Sequence, residues 1–445
     1  MVTLFKKNWY YILIFIFVFS LYYIFNFPSA HGDPIAMYGF SYAITKGEIP
    51  YLDFNIISTP LYAFLMAIGL LFWNNFTMLL IEQALLVTLF FYILERTFGK
   101  KSFIIMFFIS LFSGYALNAT YNFLALFFLI LLIFLEKNYK EKDILIGIVI
   151  GLAILSKHTV GCFFAIPTLI YYFKDKKKIG RRVLGAFIPL SIFFLYLLLT
   201  KSLWPFIDLC FLGLFDFGSN NNHLFTTLFF VSVALFFISL FITIRNRDDI
   251  ANLYLLFGIA FVIPIFDPPH FSLYMVCVLL QLVPFIKKYG DYLGILSFIV
   301  SFVIFLCVFF FMAKDYNFVL NKGIKHFEFF YNVDSNYTRI INDYNIIDSY
   351  ANPLVLSYSK IQYDISRDKK LDYFGVLLYG NFGYNGDEKM INKIGNMHDR
   401  YILVDRKDYE KNDPYSQFDK NIVNYVIENC NKIGSEGSFD IYYKK

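Results

Sequence analysis

For its first 313 residues the chain alternates long apolar runs with short polar breaks, and then it changes character. After Lys6-Lys7 an apolar run extends from Tyr10 to Phe27, with further runs at about 77–94, 103–117, 122–135, 144–156, 159–173, 183–200, 225–244, 250–266, 271–286 and 292–313. Runs of this kind predict membrane helices, an upright span needing roughly 20 residues. The pattern therefore predicts a polytopic α-helical membrane protein of about eleven spans. A secretory leader has an apolar core of about 7–15 residues before a small-residue cleavage site. Here the first run is longer and ends in Pro28-Ser29-Ala30-His31, so it reads as an uncleaved span with the N-terminus inside. Residues 60–73 are apolar as well. Counting them as a span would turn every later basic cluster outward, so they are expected to form an interfacial or re-entrant helix broken at Asn74-Asn75.

Residues 314–445 follow a soluble pattern. Segments 353–358, 400–405 and 438–443 read as strands, and 387–396 and 417–430 as helices between them. The expectation is a C-terminal extracytoplasmic α/β domain, small and doubly wound or sandwich-like, following a membrane domain of residues 1–313. The run Gly380-Asn381-Phe382-Gly383-Tyr384-Asn385-Gly386 lacks the strand–helix spacing of a phosphate loop and reads as turns.

Composition agrees with the pattern. Of 445 residues, 58% are apolar, 21% aromatic and 16% charged, against about 25% charged in ordinary soluble domains. This excludes a soluble enzyme, a nucleic-acid-binding protein and a disordered regulator. Placing alternate loops inside collects 18 Lys and Arg there and leaves only Lys46, Lys157 and Lys201 outside, a strong positive-inside signal. Five cysteines with no Cys-x-x-Cys pair suggest neither a disulfide framework nor a structural metal.

Candidate chemistry gathers in the outer loop after the first span, residues 27–60. It holds Asp33, Glu48 and Asp53 above an apolar bundle, and residues 34–45 have helical spacing suited to the interface. The acids alone could be those of a solvated connector. The ordered features Gly32-Asp33, Gly47-Glu48-Ile49-Pro50-Tyr51-Leu52-Asp53 and Pro60 resemble the first-loop signature of the GT-C superfamily of membrane glycosyltransferases. The members most similar are bacterial relatives of the protein O-mannosyltransferases and aminoarabinose transferases. Residues 151–161, with Lys157, and 267–284, with His270, resemble later family passages.

The resemblance implies transfer of a sugar from a polyprenyl-phosphate donor to an exported acceptor, whether glycan, wall polymer, lipid or protein. Asp33 is then the base that takes the acceptor's proton, and attack from the far face inverts the sugar. Lys157 is the partner of the leaving phosphate, with His270, Asp53 and Asn122 as binding residues. Two departures concentrate the acid–base burden on Asp33: Gly32-Asp33-Pro34 has a single acid where many relatives have an acidic pair, and Asn122 stands where some relatives carry an acid. A divalent metal remains open as a cofactor, although one acid makes a poor oxygen cage. The alternative classes are a transporter or flippase of lipid-linked saccharides, and a polysaccharide polymerase or ligase. The segment around Trp204, Phe206, Asp208 and Asp216 reads as a passive interfacial helix rather than an acceptor gate.

Overall fold

The structure is a computed structural model that describes residues 9–25, 33–111, 119–220, 226–263, 265–285, 290–313, 324–328, 334–375, 377, 380–410 and 419–445. As far as the described residues reach, each apolar run coincides with helix, and short polar signals set several of the ends. In order these are α1 (Tyr10–Phe25), α2 (Asp33–Thr45), α3 (Leu61–Leu70), α4 (Phe76–Phe98), α5 (Ile104–Leu111), α6 (Tyr121–Asn138), α7 (Asp143–Ser156) and α8 (His158–Tyr171). They continue with α9 (Lys176–Leu199), α10 (Leu203–Ile207), α11 (Gly213–Asn220), α12 (Thr227–Arg245), α13 (Ile250–Leu256), α14 (Pro268–Leu282) and α15 (Gly290–Ala313). Asn75, Thr120, Asp175, Thr226 and Asp267 cap α4, α6, α9, α12 and α14 by accepting backbone N–H groups. Among the described residues, five segments are long and apolar enough to cross a bilayer: Phe76–Phe98, Tyr121–Asn138, Lys176–Leu199, Thr227–Arg245 and Pro268–Phe285.

Helices α7 and α9 pack backbone against backbone. A Cβ on Gly151 would stand 2.6 Å from the Ala186 carbonyl oxygen, and Gly147 and Gly185 are tighter still. This is the close approach that small residues four apart permit in lipid. At one end of this pair Arg182 is 1% exposed. Its guanidinium forks onto Glu136, donates to Asp143 at 3.0 Å and lies 4.2 Å from the centre of the Tyr172 ring. Tyr172 and Tyr254 also donate to Glu136, at 3.0 and 3.3 Å. Arg182 is the last of the basic residues in the run Lys174–Arg182.

Helix α3 has ten residues, about 15 Å at 1.5 Å per residue, half a hydrocarbon core. It ends where Glu82 of α4 accepts from the Gly69 N–H at 3.0 Å. Helix α2 is buried rather than laid along a surface: Tyr38, Tyr42 and Ala43 have no exposure. The tail covers it, because a Cβ on Gly39 would stand 2.5 Å from Ile361.

The tail comprises α16 (Asp334–Ser349), β1 (Leu354–Leu356), α17 (Lys360–Ser366), α18 (Gly386–Gly395), β2 (Arg400–Asp405), α19 (Arg406–Glu410), α20 (Lys420–Asn429), β3 (Asn431–Glu436) and β4 (Phe439–Lys444). Its single sheet has the order β1-β2-β4-β3, with β1 and β2 parallel and the other pairs antiparallel. The domain is therefore α/β, as the pattern predicts, but neither doubly wound nor a sandwich. The closing β3–β4 hairpin escaped the sequence reading because β3 is a polar edge strand, Asn-Lys-Ile-Gly-Ser-Glu. One apolar core runs from Phe17 and Tyr38 through Phe76 to Ile361, Leu371 and Phe439 of the tail.

Candidate functional site

Lys157 is the single residue between α7 and α8, with extended backbone (φ −150°, ψ 101°). That break turns its side chain out of both helices. Its Nζ lies 5.8 Å from the centre of the Tyr121 ring, and Ser156 donates to the Tyr121 carbonyl at 2.9 Å. The next residue, Asn122, is 6% exposed with an Oδ1 that no donor reaches. An unsatisfied carbonyl costs about 1–3 kcal/mol and marks where a ligand hydroxyl would be welcome.

Opposite stands the start of α14. Asp267 accepts from the His270 backbone N–H at 2.9 Å, and His270 Nδ1 lies 2.7 Å from the same carboxylate. Burial pushes the Asp267 carboxyl up, but its bonds to His270 and the charges of His270 and Lys157 outweigh that and hold it below the usual carboxylate range. Lys157, Asp267, His270 and the Tyr121–Asn122 turn thus share one rim.

One residue past Lys157, His158 lines an apolar groove that has two lobes, of about 370 and about 340 Å³. Thr59, His158, Ser191 and Phe211 line the first, Pro60, Phe64 and Tyr196 the second, and both touch Leu155 and Phe193. His158 is 7% exposed and neither ring nitrogen has a well-aligned partner, although the Cys210 backbone comes close. Thr59 ties the outer loop to α7 by donating to the Ile154 carbonyl at 3.0 Å.

The loop carrying the motif is a tight turn. Asp53 accepts from the Ile49 N–H at 2.6 Å and is exposed. Tyr51 holds φ at +72° with no exposure, and its hydroxyl donates to the Ser58 carbonyl at 2.9 Å. A left-handed non-glycine residue costs about 1–3 kcal/mol and tends to mark functional segments. Glu48 is 4% exposed; one oxygen accepts from the Leu371 N–H of the tail at 3.1 Å and the other meets no donor. Burial pushes its carboxyl up to about 7, against the bond from Leu371.

Of the residues singled out from sequence, Lys157, His270 and Asn122 stand around this rim. Asp53 serves its own turn. Asp33 opens α2, and its side chain lies outside the described residues. Sequence reasoning passed over Asp267 as a partner, although an Asp three residues before His270 and just ahead of Pro268-Pro269 is a helix-start signature. Among the described residues no group of three or more His, Cys, Asp or Glu could hold a metal ion.

No protein-family model matches the chain, and no curated protein is significantly similar to it. Two solved structures align with nearly all of it. One is the archaeal oligosaccharyltransferase AglB from Archaeoglobus fulgidus in complex with an inhibitory peptide and a dolichol-phosphate: 13% identity, 99% of this chain and 75% of that one covered, TM-score 0.49. The other is an Archaeoglobus fulgidus oligosaccharyltransferase in complex with Zn and sulfate: 12% identity, 98% and 72% covered, TM-score 0.42. Likeness at that level decides neither fold nor activity, which must be read from the residues.

Proposed function

We propose that the chain is a membrane glycosyltransferase of the GT-C type that takes a sugar from a polyprenyl phosphate and passes it to an exported acceptor. One observation carries the reading: a lysine, an aspartate-held histidine and an unsatisfied asparagine gather at the break between α7 and α8, one residue before His158, which lines an apolar groove. Such a groove suits an isoprenoid tail and the rim suits its phosphate. Lys157 offsets the charge that develops on the phosphate as the sugar departs. His270, oriented by Asp267, donates to a phosphate oxygen, and Asn122 accepts from a sugar hydroxyl. Asp33 takes the acceptor's proton from the opposite face, so the anomeric centre inverts. Residues 1–313 form the membrane part, with the tail outside the cytoplasm.

The test uses purified protein and a radiolabelled polyprenyl-phosphate sugar. Lys157→Met is expected to lower transfer by about 10²–10³-fold, the worth of one electrostatic contact to developing charge. Asp33→Asn should abolish it while leaving donor binding intact. Undiminished transfer by Lys157→Met would overturn the phosphate assignment. A parent that binds lipid-linked sugars but transfers none would favour a transporter.

A further inference from the structure

We infer that the tail loop Gly380–Gly386 is a clip that fixes two walls of the His158 lobe, with Asp208 as its positioning residue; the role in catalysis rests on the function just proposed. Between α10 and α11, residues Asp208–Leu212 form a π-helical turn, a rare geometry, and it takes support from outside. The tail supplies it. Asp208 accepts from the Tyr384 N–H at 3.2 Å and pairs with Lys389 at 2.7 Å, and Asp216 accepts from the Asn385 N–H at 2.6 Å. Gly383 has φ +83° and lies so close to the Asp208 carboxylate that a Cβ would collide with it. Gly380, at φ +73°, is seated equally tightly on the Phe217 backbone. Two left-handed glycines pressed onto one segment indicate a fitted contact rather than free turns.

The clip reaches the site through both walls. On one side the Asn381 carbonyl accepts from Asn55 at 3.0 Å, and Tyr373 donates to the Tyr51 carbonyl, so the outer loop leading to Thr59 is held. On the other, Phe206 and Phe211 of the supported segment line the lobe, with Phe211 5.2 Å from the His158 ring. Cys210, in the same turn, has no exposure, and its thiol points to the Ile56 carbonyl at 3.8 Å. Both walls of the groove therefore depend on this loop of the tail, with Tyr373 and Lys389 beside it.

The turn contains its own reporter. Maleimide labelling of the intact protein in mild detergent, followed by peptide mapping, reads Cys210 directly, with buried Cys277 as the internal control. In the parent both should label slowly. Gly383→Ala and Lys389→Met should each raise Cys210 labelling about tenfold or more while Cys277 stays slow, the signature of local rather than global opening. Should Gly383→Ala expose Cys277 too, Lys389→Met decides, since it deletes only a half-exposed surface cation. Unchanged Cys210 protection in that variant overturns the clip. In transfer assays the same variant should raise KM for the lipid donor about tenfold and leave kcat within about twofold, the pattern of lost uniform binding. A parent without transferase activity would sink the proposed function while the labelling still decides the clip.

Discussion

Glu48→Gln should make the protein more stable, and increasingly so as pH rises. The Glu48 carboxyl is buried, one of its oxygens lacks a donor, and its surroundings are mixed: Asp53 and Asp364 oppose its charge while Lys370 and the Leu371 N–H favour it. Burial dominates and lifts the carboxyl from 4.5 to about 7. A raised acid is neutral in both folded and unfolded chains at low pH, so it costs nothing there. As pH climbs through 4.5 the unfolded chain ionises first, and stability falls until the folded carboxyl ionises near 7. At about 1.4 kcal/mol per unit, the shift amounts to about 3 kcal/mol in all. The glutamine mimics the neutral acid and keeps an acceptor for Leu371. Denaturant midpoints measured in mild detergent between about pH 5 and pH 8 should show the variant's advantage growing by about 2–3 kcal/mol. A gap that stays constant over that range would refute the reasoning, because every other titrating group cancels between parent and variant.

Two further substitutions test the packing. Arg182→Met strands Glu136 in the bundle and should cost about 3–5 kcal/mol, while adding Glu136→Gln should recover most of it; equal loss in single and double variants, read by thermal unfolding, would show that the charges are not coupled. Gly39→Ala forces a methyl against Ile361 and should cost about 1–3 kcal/mol, with Ile361→Ala restoring part of the loss; a loss from Gly39→Ala that Ile361→Ala leaves undiminished would place the strain elsewhere.

Much of the fold was legible because a bilayer leaves little choice: long apolar runs with few charges, such as Phe76–Phe98, must close their own backbone hydrogen bonds as helices. The rim was legible in part for a related reason. Lys157 interrupts an apolar pattern and Asp267 caps a helix, and both leave local marks. Arg182 left none, since it is one of six basic residues in its run and its acid partners lie 39 and 46 residues away. Tyr51 misleads in the same way, because its left-handed backbone is where sequence habit expects glycine. The support from the tail was invisible for the reason that contacts such as Asn55 to Asn381 span 326 residues.

The unbroken core from α1 through α2 to the sheet bears on how the molecule can come apart. With Gly39 seated on Ile361 and Leu371 in the same cluster as Phe76, one face of the tail is closed by the helices, while Leu356, Ile402 and Val426 belong to a second core on the other face of its sheet. The tail cut away from the helices should therefore keep its second core but expose the Ile361–Leu371 face, and should melt at a lower temperature than it does in the whole chain.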